Sequence, residues 1–157
     1  MQKIVTNLWY DGDAETAAAY YTSLFDDGRI TDRELTPESA PGETGSVMTV
    51  TFTLAGQQFV AINGGPEFRF TPAMSLQVNC ADQAEVDRLW NALTADGGSE
   101  QPCGWLTDRW GVSWQIVPTA YYDLVTGADP AVADRVFAAL MTMTRIDIAA
   151  LEAAARG

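Results

Sequence analysis

One pattern, a short strand, a capped helix and further strands, occurs twice within the first 118 residues, and this doubling constrains the fold more than any single motif. Ile4 to Tyr10 is short and rich in strand formers. Asp13 stands where an N-cap is expected, and Ala14, Ala17, Ala18, Tyr21 and Phe25 recur at helical spacing. Asp27-Gly28 marks the expected end of that helix. Arg29 to Leu35 reads weakly as a strand, and Thr36 to Gly45, with two prolines and two glycines, reads as a loop. Ser46 to Leu54 is the clearest strand: Met48, Val50, Phe52 and Leu54 alternate with Val47, Thr49, Thr51 and Thr53. Ala55-Gly56 then turns the chain into Phe59–Ile62.

The order restarts at Ser75 to Cys80, another strand. Asp82 and Glu85 have capping-box spacing, and Val86, Leu89, Trp90 and Leu93 form the apolar stripe of the helix that follows. Gly97-Gly98 stops it, and the turn Asp108 to Gly111 leads into the strand Val112 to Val117. A shift of 69 residues lays Thr6 on Ser75, Asp13 on Asp82, Tyr21 on Trp90 and Leu24 on Leu93. The expected architecture is α+β: two βαβββ repeats at residues 1–66 and 72–118, then a helical tail over 119–157, all in one structural domain. In the tail, Asp129 caps a helix with Pro130 at its first position, and Val132, Val136, Leu140 and Met143 line one side. Asp147 caps a last helix, with Ile146 and Leu151 placed as a hydrophobic staple. The tail packs either on its own chain or on a partner subunit.

The chain has no histidine, which removes the usual general base, the commonest metal ligand and every His-containing triad. Its net charge is −12 and its one lysine is Lys3, so no basic patch exists to neutralise phosphates or anionic lipid. Nucleic acid and membrane are therefore not expected partners. No run of 18 apolar residues is present, and the N-terminus lacks the apolar core of a signal peptide. A cytoplasmic location is the expectation. Cys80 and Cys103 form neither a C-x-x-C pair nor a disulfide framework. Gly64-Gly65 lies before Pro66 in a loop, not at a helix start, so no nucleotide-binding fingerprint is found.

Several stretches resemble the vicinal-oxygen-chelate superfamily of glyoxalase, bleomycin-resistance and dioxygenase proteins, in its PhnB-like branch. They are Leu8–Ala14 (LWYDGDA), Phe59–Pro66 (FVAINGGP), Ser75–Cys80 (SLQVNC), Cys103–Gly111 (CGWLTDRWG), Ser113–Pro118 (SWQIVP) and the tail segment Ile146–Leu151. Members of that branch are labelled demethylubiquinone methyltransferase-like. The resemblance implies that each repeat curls into a half barrel and that the two halves enclose a cleft. In metal-dependent relatives the first and last strands of each repeat supply inward ligands. Those positions fall here on Thr6, about Val60, Ser75 and Gln115, which offer no imidazole or carboxylate to a transition metal. No metal and no cofactor are expected.

The expected ligand pocket draws on Thr6, Trp9, Ser75, Gln77, Trp105, Trp114 and Gln115. Trp9, Trp105, Trp110 and Trp114 serve either as an aromatic wall for a flat or apolar ligand or as core. Asp108 and Arg109 either hold an anion or a proton-transfer group, or shape their turn. Glu67 and Arg69 flank Phe68 in a loop that is either a ligand gate or a plain connection. Asn7, Gln77 and Asn79 either read a ligand's hydrogen-bond pattern or find partners within the fold, as any buried amide must. Cys103 has only Arg109 nearby in sequence to activate it and reads as structural. The expected function is metal-free small-molecule binding, by analogy with drug-sequestering resistance proteins. The alternatives are an enzyme of unknown reaction using a carboxylate such as Asp108 or Glu67, and an accessory interaction protein whose cleft is filled. A homodimer is expected, because open half barrels leave strand edges and apolar surface to cover.

Overall fold

The structure, a computed structural model, describes residues 2–157; Met1, the expected start of the first repeat, lies outside the described residues. The chain divides into two units, Met1–Arg69 and Phe70–Gly157. Each is built on a four-stranded mixed sheet.

In the first unit, β1 (Thr6–Tyr10) is followed by α1 (Ala14–Ser23), β2 (Arg29–Leu35), β3 (Val47–Leu54) and β4 (Gln57–Asn63). The sheet order is β1-β4-β3-β2, with β1 parallel to β4 and the other pairs antiparallel. The alternation in β3 decides which side is covered: Val50, Phe52 and Leu54 are buried, together with Leu8, Tyr10, Phe59 and Ala61. Helix α1 covers this face with Ala14, Ala17, Ala18 and Tyr21. The small alanines bring the helix close to large rings on the sheet, where Phe52 stacks on Phe59 at 5.3 Å. Phe25 lies beyond the helix end and is only half-buried.

Two local expectations are revised. Asp13 occupies the N-cap position but its side chain makes no capping bond. Asn63 Oδ1 accepts from Ala14 N instead, at 2.9 Å, while Asn63 Nδ2 donates to Val47 O. The helix ends at Ser23, before Asp27-Gly28. Asp27 holds the β3–β4 turn instead, its two carboxylate oxygens accepting from Ala55 N and Gly56 N, both at 2.8 Å. Those two residues have φ of 46° and 76°, the left-handed pair that a two-residue hairpin requires.

The second unit repeats the plan. β5 (Ser75–Cys80) and α2 (Gln83–Thr94) lead through a short 3-10 turn (Ala95–Gly97) to β6 (Ser99–Glu100), β7 (Trp105–Thr107) and β8 (Ser113–Pro118). The sheet order is β5-β8-β7-β6, with β5 parallel to β8, the same order and sense as in the first unit. Asp82 Oδ1 accepts from Glu85 N at 2.9 Å, and Glu85 Oε2 reaches back to Ala81 N, one residue before the cap. Val86, Leu89, Trp90 and Leu93 are all buried. This stripe repeats the spacing of Ala14, Ala17, Ala18 and Tyr21, with a shift of 72 rather than the 69 expected from sequence.

The tail forms α3 (Thr119–Val125), α4 (Pro130–Leu140) and α5 (Ile148–Arg156), all within the second unit. Val136, Leu140, Ile146 and Leu151 gather with Val117 into one buried cluster. Asp129 and Asp147 cap their helices as expected, accepting from Ala131 N and Ala150 N. The segment before α5 is stitched to the segment before β7: Cys103 N donates to Met143 O and Gly104 N to Thr144 O, at 2.8 and 2.7 Å. Gly104 is required there twice over. Its φ is +80°, and an added Cβ would lie 2.7 Å from Ile146 Cδ1.

Candidate functional site

Each sheet has one face covered by its helix. The opposite face, termed the open face, is only partly exposed, since Ser113 and Val117 on it are buried. Strand alternation sorts the candidate residues between the two. In the second sheet, Leu106, Trp114 and Ile116 are buried on the α2 side. Ser75, Gln77 and Asn79 on β5, Ser113, Gln115 and Val117 on β8, and Trp105 and Thr107 on β7 take the opposite face. The register places Gln77 beside Gln115 and Gln115 beside Trp105, a cross-strand row of two amides and an indole. One step along, Ser75 pairs with Ser113, and Ser113 with Thr107. None of these residues is charged, in a chain of net charge −12.

Hydrogen bonds organise this face. Gln115 Nε2 donates to Ser75 Oγ at 2.9 Å. Gln77 Nε2 donates to Asn79 Oδ1 at 2.7 Å and to Tyr122 Oη, from α3, at 2.8 Å. Trp105 borders a cavity of about 450 Å³ that is also lined by Pro72, Pro102, Leu106, Thr107 and Ser113. That volume lies in the range of small-molecule sites. A second cavity, of about 480 Å³, lies between α2 and the tail, beside Gln83, Asp87, Glu100 and Arg145. Its polar groups already answer one another: Gln83 bonds Asp87 and Ile146 O, Arg145 pairs with Asp87 at 3.3 Å, and Glu100 accepts from Trp90 Nε1.

In the first sheet, Asn7, Trp9, Val60 and Ile62 take the open face, since Leu8 and Tyr10 are buried under α1. Trp9 is half-buried and holds the loop after β4. Its Nε1 donates to Gly65 O at 2.8 Å, its ring leaves no room for a side chain on Gly64, and Phe68 meets it edge-on at 5.1 Å. The Phe68 loop is thus anchored through Trp9. Thr53 Oγ1, on the same open face, is enclosed without a hydrogen-bond partner.

Two expected pocket residues are misplaced. Thr6 has the same parity as Leu8 and Tyr10, so it faces α1 and not the open side; its hydroxyl accepts from Gln57 Nε2 at 3.4 Å. Trp114 is core, with 2% exposure, and its Nε1 donates to Asp108 Oδ2 at 2.9 Å. Asp108 is buried as well and also accepts from Trp110 N and Val112 N, both at 3.0 Å. Its carboxylate organises a turn and a core indole. Arg109 pairs with Asp96 at 2.8 Å and lies over the Trp110 ring. Cys103 is half-buried, with Sγ 3.6 Å from Met141 Sδ. Burial, with a smaller contribution from Glu85, pushes the Cys80 thiol up to about 12, so it stays protonated and inert.

Residues 2–117 match the protein family described as 3-demethylubiquinone-9 3-methyltransferase. The chain belongs to that family. Among solved structures, a putative 3-demethylubiquinone-9 3-methyltransferase, a PhnB protein from Bacillus cereus, is 40% identical with a TM-score of 0.68, over 74% of this chain and 99% of that one. Protein PA1353 from Pseudomonas aeruginosa is 24% identical with a TM-score of 0.60, over 75% and 98% of the two chains. The fosfomycin resistance protein FosX from Listeria monocytogenes, solved with Mn(II), shares the fold at 16% identity and a TM-score of 0.52, over 74% and 93%. No curated protein matches the chain. The PhnB-like chain therefore has the glyoxalase/bleomycin-resistance fold, with α3–α5 added beyond the matched region.

That fold carries a divalent metal in some members, and the residues here do not fit one. Of the four expected positions, Thr6 faces α1, Val60 is aliphatic, and Ser75 and Gln115 bond each other, while Asn7 and Trp9, the β1 residues that do take the open face, are uncharged. None can offset a dication's charge. Among the described residues, no group of three or more Cys, Asp or Glu is placed to hold a metal ion. Sequence reasoning missed Tyr122, since nothing in the tail's pattern announced that α3 reaches the open face. It took Asn63 only as part of the stretch Phe59–Pro66 and so missed its capping role.

Proposed function

We propose that this PhnB-like protein binds an uncharged, flat small molecule on the open face of its second sheet, without a metal. The observation that carries the reading is the cross-strand row Trp105–Gln115–Gln77, neutral throughout on a strongly acidic protein. An indole supplies a stacking surface and amides supply both donors and acceptors. The cavity beside Trp105 gives room at the Trp105 end of that row; Gln115 and Gln77 do not line it. The methyltransferase activity in the family's description is not carried over. The loops leading into α1 and α2 contain no glycine-rich cofactor turn, and α2's first turn is occupied by its own Asp82 and Glu85.

A thermal-shift screen of neutral aromatic compounds, run after dialysis against chelator, tests the reading. Any compound that binds only the folded state raises the melting temperature by mass action. Hits confined to uncharged aromatic compounds, and lost in Trp105→Ala, are expected. A screen whose only hits need an added divalent metal would overturn the reading.

A further inference from the structure

The tail lies outside the part of the chain that the family shares, which ends at residue 117, yet it supplies a group to the open face. Val117 follows Gln115 onto that face and is buried in the tail's own cluster, so α3 begins on top of it. Tyr121 packs against the same cluster. Tyr122 points the other way, remains 39% exposed, and is braced edge-on by Tyr121 at 5.4 Å. Its hydroxyl oxygen accepts from Gln77 Nε2 at 2.8 Å. The other hydrogen of that amide goes to Asn79 Oδ1, so the amide nitrogen is fully used. The tyrosine's own O–H hydrogen is therefore not shared with Gln77.

Neighbouring strands lie roughly 4.8 Å apart, so Trp105, Gln115 and Gln77 together span roughly 10 Å, about the length of a fused two-ring aromatic. Tyr122 stands at the Gln77 end of that row, with a donor to offer. The strand residues of this face include no Lys or Arg, which disfavours a carboxylate or phosphate as the group that receives the bond. We infer that Tyr122 is a specificity-determining residue, whose hydroxyl donates to a carbonyl oxygen of an uncharged bicyclic aromatic ligand lying along the row. The inference rests on the binding role proposed for that face and adds the ligand's chemical class. It also makes the tail, which the family's matched region lacks, part of the recognition surface.

The test uses the full chain and two probes of similar size, coumarin, which carries a ring carbonyl, and naphthalene, which does not. Dissociation constants are taken from tryptophan fluorescence titrations of the unsubstituted protein, Tyr122→Phe and Trp105→Phe. The unsubstituted protein should prefer coumarin by roughly two- to tenfold, the range of one neutral hydrogen bond. Tyr122→Phe should abolish that preference while leaving naphthalene affinity unchanged. If neither probe binds the unsubstituted protein, the proposed binding face fails and this inference with it. If both bind and the preference is absent, or survives in Tyr122→Phe, this inference alone is overturned. A Tyr122→Phe protein that melts lower but keeps the preference assigns the hydroxyl to holding α3 in place, which also overturns it.

Discussion

Asp108 accepts hydrogen bonds from Trp110 N, Val112 N and Trp114 Nε1 while only 3% exposed. Removing the carboxylate strands at least two buried donors, each costing about 1–3 kcal/mol. Asp108→Ala should therefore destabilise the protein by roughly 3 kcal/mol in urea unfolding. A loss below about 0.5 kcal/mol, the usual range for a surface position, would contradict the assignment. Cys80 provides a pH-dependent counterpart. Its thiol is raised from 9.0 to about 12 in the fold, chiefly by burial. The unfolded chain thus releases that proton first as pH rises. Cys80's contribution to stability is complete below about 9 and is lost progressively toward about 12. Cys80→Ala should flatten the stability curve over that window, and an unchanged alkaline slope would show that another group carries it. The sequence left Asp108 undecided between chemistry and turn-shaping. Its adjacency to Arg109 was visible, but the six-residue reach to the Trp114 indole was not.

At the scale of elements, the two helices begin alike in sequence and differently in structure. Asp82 caps α2 with its own side chain, whereas α1 borrows Asn63 from β4. Asp82→Ala and Asn63→Ala should each cost about 1 kcal/mol, while Asp13→Ala should cost less than about 0.5 kcal/mol. Equal losses at Asp13 and Asn63 in thermal unfolding would refute the borrowed cap. The loop held by Trp9 makes a second prediction. An added Cβ at Gly64 would lie 2.1 Å from the indole, so Gly64→Ala should displace Trp9 and break its bond to Gly65 O, at a cost of about 1–3 kcal/mol. A shifted tryptophan emission maximum should accompany that loss. Element order was legible because apolar spacing identifies each strand and helix locally: β5 begins and ends where expected, and all four α2 stripe residues are buried. Facing was less legible. The superposition of halves was off by an odd number of residues in the strands, and a one-residue slip turns a side chain to the other face. That is why Ser75 reaches the open face and Thr6 does not.

For the whole molecule, the PhnB-like fold could be read because several short stretches occur in the family's order, and no one of them would have sufficed. Fold alone does not name what the chain does. We also propose that the protein is a homodimer. Among the described residues, β1 and β5 each have an unpaired edge, and Phe137 on α4 and Met141 at its C-cap are exposed apolar residues. Light scattering at micromolar concentration should return about twice the 17.0 kDa chain mass, more readily at high salt because each chain carries −12. A monomer mass at every salt concentration would count against it. The central claim, metal-free binding of an uncharged aromatic molecule on the open face of the second sheet, is tested most directly by a nitrogen-15 NMR titration of the full chain with coumarin after exhaustive dialysis against chelator. The predicted result is saturable shifts of the Trp105 indole N–H and the Gln77 and Gln115 side-chain amides, with the Trp114 indole N–H moving far less. Saturable binding that leaves those three side chains unmoved, or that appears only once a divalent metal is restored, would contradict the account.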